Sequence, residues 1–332
     1  MEAKKKKIYV RADADGIIGY GHFMRTLALA EVLSDYYDCV FATQSPSAFQ
    51  RDCLKDVCSL MELPSDDSRF EIFLGVVKSG DIVVLDNYFY NSSYENLLRG
   101  KGATVVLIDN LHKRHSCADV IIGFLLGLNV GDYSVESYTK LFLGPGYSLL
   151  RKPFLEQLNI KHPLKNDAKP LKVVISFGGA DSNGIAISIA NILEPTSSIG
   201  EITVIGKKAT GLIDSAKIVF KRKLSASEMR DAFINNDIAI LPASTTTLEA
   251  LACGIPIIGG YFTDNQVNSY NQYVKANAIF GCGNLIEKAN QIRVREIIEG
   301  NMIWKDYLPQ SIIPLNVKQN ILSIFNELSD WK

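Results

Sequence analysis

The chain has 332 residues, with Lys+Arg 35 against Asp+Glu 36 and a formal charge of -1. That length suits two domains, each able to bury its own core, and 47% hydrophobic with 21% charged residues excludes disorder as the main state. The balanced charge argues against a nucleic-acid partner, which demands a basic face to neutralise phosphates.

No window approaches the roughly 18 consecutive apolar residues of a membrane-spanning helix. The start, Lys4 to Lys7 and then Ile8-Tyr9-Val10, lacks the apolar core of a signal peptide. Six scattered cysteines with no C-x-x-C pair suit buried thiols in a reducing cytosol better than a disulfide framework.

Along the chain, short β-branched runs alternate with helical patterns, as in parallel sheets covered by helices. Strands are expected at Lys7–Arg11, Cys39–Ala42, Asp81–Leu85, Thr104–Ile108 and Asp119–Ile122, with Lys140–Leu143 as a further one. Helices fit His22–Tyr37, Ala48–Val57, Phe70–Lys78 and Ser92–Arg99. The run Ile82-Val83-Val84-Leu85 is apolar throughout, as in a strand buried on both faces. The polar stretch Asn159 to Pro170, with two prolines, reads as a linker. The pattern then restarts, with strands at Lys172–Ser176, Ile202–Ile205, Lys217–Phe220, Ile238–Leu241 and Ile257–Gly260. Helices follow at Gly184–Leu193, Ser225–Asn235, Thr246–Cys253, Asn265–Ala276, Lys288–Glu299 and Leu315–Leu328. Ser225-Ala-Ser-Glu228 is a capping box. The expected architecture is α/β, with an N-terminal Rossmann-like domain at 1–152, a linker at 153–170 and a C-terminal one at 171–332. Ligands of such sheets bind beyond the carboxyl ends of the strands.

Chemistry gathers at those ends. The first strand runs into Arg11-Ala-Asp-Ala-Asp-Gly-Ile-Ile-Gly-Tyr-Gly-His-Phe-Met-Arg25, where Gly16, Gly19 and Gly21 permit close backbone approach to a ligand. His22 sits at the helix start, beside unsatisfied N–H groups and the positive dipole end. There it either caps and packs or accepts a proton from water. A dinucleotide fingerprint fails, because G-x-G-x-x-G needs glycine where Met24 stands. Asp13 and Asp15 make no calcium loop, since Gly16 follows too soon. Asp86-Asn87-Tyr88 and Asp109-Asn110-Leu111 follow buried strands; Asp86, Tyr88 and Asp109 hold a polar substrate or simply end their strands as loop residues. His112, His115, Cys117 and Asp119 match no standard zinc spacing, and Lys113 and Arg114 repel a cation, so a solvated loop is expected there. In the second half, Gly178-Gly179-Ala180-Asp181 is a glycine-rich turn feeding a helix, suited to an anion. Ser244 to Thr247 form a second candidate phosphate cradle. Glu249, expected on that helix's first turn, suits a ribose diol or merely complements the helix dipole. Asn265 and Gln266 carry amides that suit sugar hydroxyls.

The ordered set G-x-G-H-x-x-R, strand-D-x-Y, strand-F-G-G-A-D, S-T-x-x-x-E-A-x-x-x-G-x-P and N-Q, with Leu143-Gly-Pro-Gly-Tyr-Ser-Leu-Leu-Arg151, resembles the GT-B superfamily. Within it, the chain looks most like the PseG-type UDP-sugar hydrolases of pseudaminic acid biosynthesis and the related spore-coat polysaccharide proteins. The resemblance covers roughly the whole chain. It implies two Rossmann-like domains facing across a cleft, and metal-independent, inverting release of UDP from a UDP-linked diacetamido-trideoxyhexose. It also implies catalytic roles for His22, Tyr88 and Asp86, with His22 activating or orienting water. Asp13, Gly19, Gly21 and Arg25 are implied on the substrate, Gly178, Gly179, Ser244, Thr245 and Thr246 at the diphosphate, Glu249 at the ribose, and Asn265 with Gln266 at the sugar. The chain departs from that pattern at Asp109-Asn110, at Gly123-Phe-Leu-Leu-Gly127 and at Asn87, changes that bear on the sugar more than on the chemistry. The expectation is a cytoplasmic monomer with a UDP-sugar substrate, no cofactor, no metal and no stable membrane insertion. A GT-B glycosyltransferase using a UDP-sugar donor is the alternative. A non-catalytic nucleotide-sugar binding protein is a third reading, against which His22 counts.

Overall fold

A computed structural model describes residues 5–15, 19–158, 160, 170–178, 181, 184–206, 210–222, 224–300 and 312–330. In chain order the first half runs Lys7–Arg11 (β1), Gly21–Leu33 (α1), Asp38–Gln44 (β2), Ala48–Leu54 (α2), Ser59–Leu63 (β3), Ser68–Val76 (α3), Ile82–Leu85 (β4), Ser92–Gly100 (α4), Thr104–Ile108 (β5), Val120–Gly123 (β6), Lys140–Leu143 (β7) and Lys152–Gln157 (α5). The second runs Leu171–Ser176 (β8), Ile185–Leu193 (α6), Ile199–Ile205 (β9), Ile218–Lys221 (β10), Ala226–Ile234 (α7), Ile238–Pro242 (β11), Thr245–Ala252 (α8), Ile257–Tyr261 (β12), Val267–Lys275 (α9), Phe280–Asn284 (β13), Lys288–Glu299 (α10) and Val317–Ser329 (α11).

Two all-parallel sheets result, ordered β3-β2-β1-β4-β5-β6-β7 and β10-β9-β8-β11-β12-β13. Their inner strands are largely buried, with every residue of β4 at 0% exposure, which is why β4 reads as an unbroken apolar run. One core gathers Val83, Leu85, Val105, Leu107 and Phe73. A second gathers Val173, Ile175, Ile202, Val204, Ile240 and Ile258. The capping box is formed, with Ser225 N–H donating to Glu228 at 2.8 Å and Glu228 N–H to Ser225 Oγ at 3.3 Å.

Three elements escape the sequence pattern. β3 lies on a sheet edge with only Leu63 buried, so it has no continuous apolar signal. β13 reads Phe-Gly-Cys-Gly-Asn, and its glycines hide a strand that needs close backbone approach. α5 is short and begins at a Lys-Pro pair.

The chain divides into two compact units, Met1–Lys152 with Asn316–Lys332, and Pro153–Leu315. The last helix therefore departs from the expected boundary of 171–332. α11 joins the first unit, where Lys6 donates to the Leu328 carbonyl at 3.0 Å, Tyr37 to Asn326 at 2.7 Å and Asn320 to the Gly146 carbonyl at 3.0 Å. Its buried face of Val317, Ile321, Ile324, Phe325 and Leu328 carries helical spacing but no mark of which unit it covers. Most of the expected linker, residues 159 and 161–169, lies outside the described residues. No helix among the described residues is long and apolar enough to cross a membrane.

Candidate active site

β1 and β4 are neighbours, with Arg11 opposite Leu85, so the segments leaving their carboxyl ends start side by side. The first leads to α1, whose start carries no side-chain cap and no acidic residue in the first turn. His22 stands in that turn, 5% exposed. The second begins with Asp86, fully buried, its N–H bonded to the Arg11 carbonyl at 3.1 Å.

His22 Nδ1 lies 2.7 Å from Asp86 Oδ1. Arg25, one turn further along α1, donates from Nε to Asp86 Oδ2 at 2.5 Å and from Nη2 to Oδ1. Burial alone pushes the Asp86 carboxyl up, but the Arg25 charge, its hydrogen bonds and that of His22 outweigh burial and hold it below the usual carboxylate range. An ionised carboxylate only accepts, so Nδ1 carries the proton that faces it. In a neutral ring Nε2 then keeps a lone pair, the tautomer a general base requires. Arg25 Nη2 also lies 2.9 Å from Nδ1; both are donors, and both are aimed at the same carboxylate. The Tyr88 ring meets the His22 ring edge-on at 4.6 Å and is 56% exposed. Arg25 lies 5.7 Å from the Phe124 ring centroid.

Other expected residues are placed differently. Asp13 is fully buried and turned inward: its carboxylate pairs with Arg11 and accepts the Gln44 N–H at 2.8 Å, so it holds the strand ends together and is not offered to a ligand. Arg25 is likewise committed to Asp86. Asp109 caps a turn, accepting from Leu111 N–H at 2.7 Å and His112 N–H at 3.2 Å. Gly19 has φ +80 and Gly21 opens α1; Gly16 lies outside the described residues.

In the second unit Gly178 follows β8 with φ +66, a left-handed turn that glycine adopts without strain. Gly179 lies outside the described residues. Asp181 accepts from the N–H groups of Ile185 at 2.8 Å and Ala186 at 3.0 Å, so the α6 start already has its anion. The α8 start follows β11: Ser244 is its N-cap, Thr245 and Thr246 open the helix half-exposed, and Thr247 Oγ1 donates to the Pro242 carbonyl at 2.7 Å. Glu249 is the fifth residue of α8, one residue further in than expected because the helix starts at Thr245, and 6% exposed. Asn265 is exposed with its Oδ1 bonded to Thr263, and Gln266 accepts the Phe262 N–H at 3.0 Å.

No family model matches the chain. Among curated proteins it is 21% identical over 284 residues to the uncharacterized protein MJ1062 of Methanocaldococcus jannaschii, across 81% of this chain and 58% of that one. It is 26% identical over 209 residues to the UDP-2,4-diacetamido-2,4,6-trideoxy-beta-L-altropyranose hydrolase of Campylobacter jejuni, across 59% of this chain and 69% of the hydrolase. The chain thus spans less than two thirds of the length of the archaeal relative. Among solved structures, Arabidopsis thaliana UGT89C1 complexed with UDP-L-rhamnose superposes with a TM-score of 0.70 at 11% identity, over 98% of this chain and 100% of that one. The fold is GT-B-like.

Proposed function

We propose that the chain is a nucleotide-sugar hydrolase that releases UDP from a UDP-linked diacetamido-trideoxyhexose, with inversion and without a metal in the chemical step. The observation that carries the reading is the His22 imidazole held through Nδ1 by a buried, ionised Asp86, with Nε2 left to take a proton. The hydrolase relative from Campylobacter jejuni supports it on the sequence side.

In this reading a water gives its proton to His22 Nε2 as its oxygen bonds the anomeric carbon, and the bond from that carbon to the diphosphate oxygen breaks, its electron pair leaving with UDP. Asp86 stabilises the imidazolium that forms; it is a positioning residue rather than one that touches substrate. Tyr88, edge-on to His22, packs beside the sugar. Gly178, Gly179 and the Ser244–Thr246 helix start hold the diphosphate, where N–H groups offset the charge of the leaving group. Glu249 takes the ribose, and Asn265 and Gln266 the sugar.

Transfer to an acceptor hydroxyl is the second reading, favoured by the fold shared with UGT89C1, since the same base accepts a proton from an alcohol as from water. The deciding experiment is UDP release from a panel of UDP-sugars in buffer alone, including 2,4-diacetamido-trideoxyhexoses and UDP-N-acetylglucosamine, with mass analysis of the sugar. Free sugar released without an acceptor is expected. Tight UDP binding with no release would reject hydrolysis in favour of transfer.

A further inference from the structure

A second cluster, two of whose members, His115 and Cys117, the sequence alone reads as part of a solvated loop, has the composition of a metal site. Ser116 and Val135 form an isolated parallel bridge, with the Ser116 N–H on the Ser134 carbonyl at 2.9 Å. Side chains alternate across extended backbone, so His115 and Cys117 leave on one side of Ser116, and Ser134 and Glu136 leave on the same side of Val135. Ser116 turns the other way and donates to the buried Glu95 at 2.9 Å. The outcome is three donor atoms of different type, all within 4.8 Å of one another: an imidazole nitrogen, a thiol sulfur and a carboxylate oxygen.

We propose that His115, Cys117 and Glu136 bind one zinc-type divalent cation, with water as the fourth ligand. His115 Nε2 lies 3.1 Å from Glu136 Oε1, and Cys117 Sγ 3.8 Å from the same oxygen. Tetrahedral zinc, with bonds of about 2.1 Å to N and O and 2.3 Å to S, spaces its ligand atoms by about 3.3–3.6 Å. The two observed separations bracket that range, and His115 and Glu136, both exposed, can rotate to close it. The surroundings match what such ligands require. His115 Nδ1 is 3.0 Å from Ser134 Oγ, a partner to which the ring can donate once an ion replaces the proton that Nε2 turns towards Glu136. Asn96 Nδ2 donates to Cys117 Sγ at 3.4 Å, a contact that orients the sulfur.

One thiolate and one carboxylate neutralise a divalent charge, and the sulfur–nitrogen pair selects a borderline-soft metal over magnesium or calcium. Two neighbouring cations are directed elsewhere: Arg114 donates to the Tyr88 carbonyl at 2.9 Å, and Arg99 pairs with Asp119 at 3.0 Å. His112 packs against Tyr133 and takes no part. Bound metal would tie the segment carrying Arg114 to residues 134–136. Because the His115 carbonyl accepts from Ser92 at 2.6 Å, it would also brace both ends of the loop that presents Tyr88.

The test is metal titration of the whole chain, stripped of metal and kept reduced. One equivalent of Co²⁺ is expected to give a thiolate-to-cobalt charge-transfer band, displaced by one equivalent of Zn²⁺. Competition against a chromophoric chelator should show Ser134→Ala binding zinc about 10–100-fold more weakly, with His115→Ala and Glu136→Gln weaker still. These positions are exposed or flank the bridge, so circular dichroism should report native folding even where the buried Cys117→Ser does not fold. Absence of the band in the wild type, its survival in Cys117→Ser, or unchanged zinc affinity in both His115→Ala and Glu136→Gln would overturn the site.

Discussion

Replacing Asp86 by asparagine is expected to separate what this carboxylate does for the fold from what it does for His22. Asp86 is fully buried and accepts from Arg25 and from His22. Asp86→Asn keeps the shape but leaves the Arg25 guanidinium, itself 12% exposed, without its counter-charge. Removing one partner of a buried pair costs about 3–5 kcal/mol. For a unit of this size that corresponds to a fall in Tm of about 6–20 °C. Adding Arg25→Met removes the stranded charge, and an apolar replacement of a whole buried pair is often neutral, so the double variant should regain most of the lost stability.

Activity should not return with it. Without a carboxylate, nothing fixes the Nδ1 proton or offsets the imidazolium, and the loss expected for such a change is on the order of 10⁴-fold in kcat. Thermal melts and initial rates of UDP release, on all three proteins, make the assay. A folded Asp86→Asn enzyme within about tenfold of wild-type kcat would refute the positioning role, since that corresponds to about 1.4 kcal/mol. An unchanged Tm would refute the buried ion pair. The pH dependence has a definite sign. A carboxyl held below its unfolded value near 3.9 contributes stability that is complete above that value and lost as pH falls through the lower folded one. The wild-type advantage over Asp86→Asn should therefore shrink only below about pH 4.

His22→Ala should abolish turnover, by about 10²–10⁴-fold or more, while UDP affinity by calorimetry stays near wild type; a collapse of UDP binding would sink its assignment as base. Glu249→Ala should weaken UDP by about tenfold, the value of one hydrogen bond to a charged group, and a normal dissociation constant would remove Glu249 from the ribose. UDP release should persist in EDTA when assayed well below the melting transition, and a loss that added metal restores would overturn the metal-free chemical step. Gly260→Ala should destabilise the second unit by about 1–3 kcal/mol in urea melts, because its Cβ would sit 2.5 Å from the Gly283 carbonyl oxygen and from Leu285 Cγ; an unchanged midpoint would mean that β12 and β13 can part.

Inner strands were legible because burial on both faces favours apolar runs, most completely in β4, whereas β3 and β13 carry edge exposure and glycines instead. Single site residues were legible for the same positional reason, since they follow strands. Their partnerships were not. His22 and Asp86 are 64 residues apart, and no periodicity links them; strand order does. Asp13 and Arg25 were visible as charges beside a loop, yet the sequence does not say that Arg11 and Asp86 consume them. Cys117 and Glu136 are 19 residues apart and meet through one isolated bridge, which leaves no alternating run to read.

Each sheet reverses its strand order once, and the candidate site residues follow strands at those reversals. In the first, β1 stands between β2 and β4, the position at which open α/β sheets bind ligands. His22 comes from the segment leaving β1 and Asp86 from the one leaving β4. In the second sheet β8 stands between β9 and β11, and Gly178 and Ser244 follow those two strands. The same topological rule thus supplies an imidazole–carboxylate pair in one unit and backbone N–H groups with hydroxyls in the other. What makes the first pair precise is the register of β1 on β4, set by fully buried residues on both strands. A slip of one residue would turn those side chains to the wrong face and carry Asp86 about 3.3 Å along the strand, more than the length of its bond to His22. The core that fixes the register therefore also fixes the tautomer.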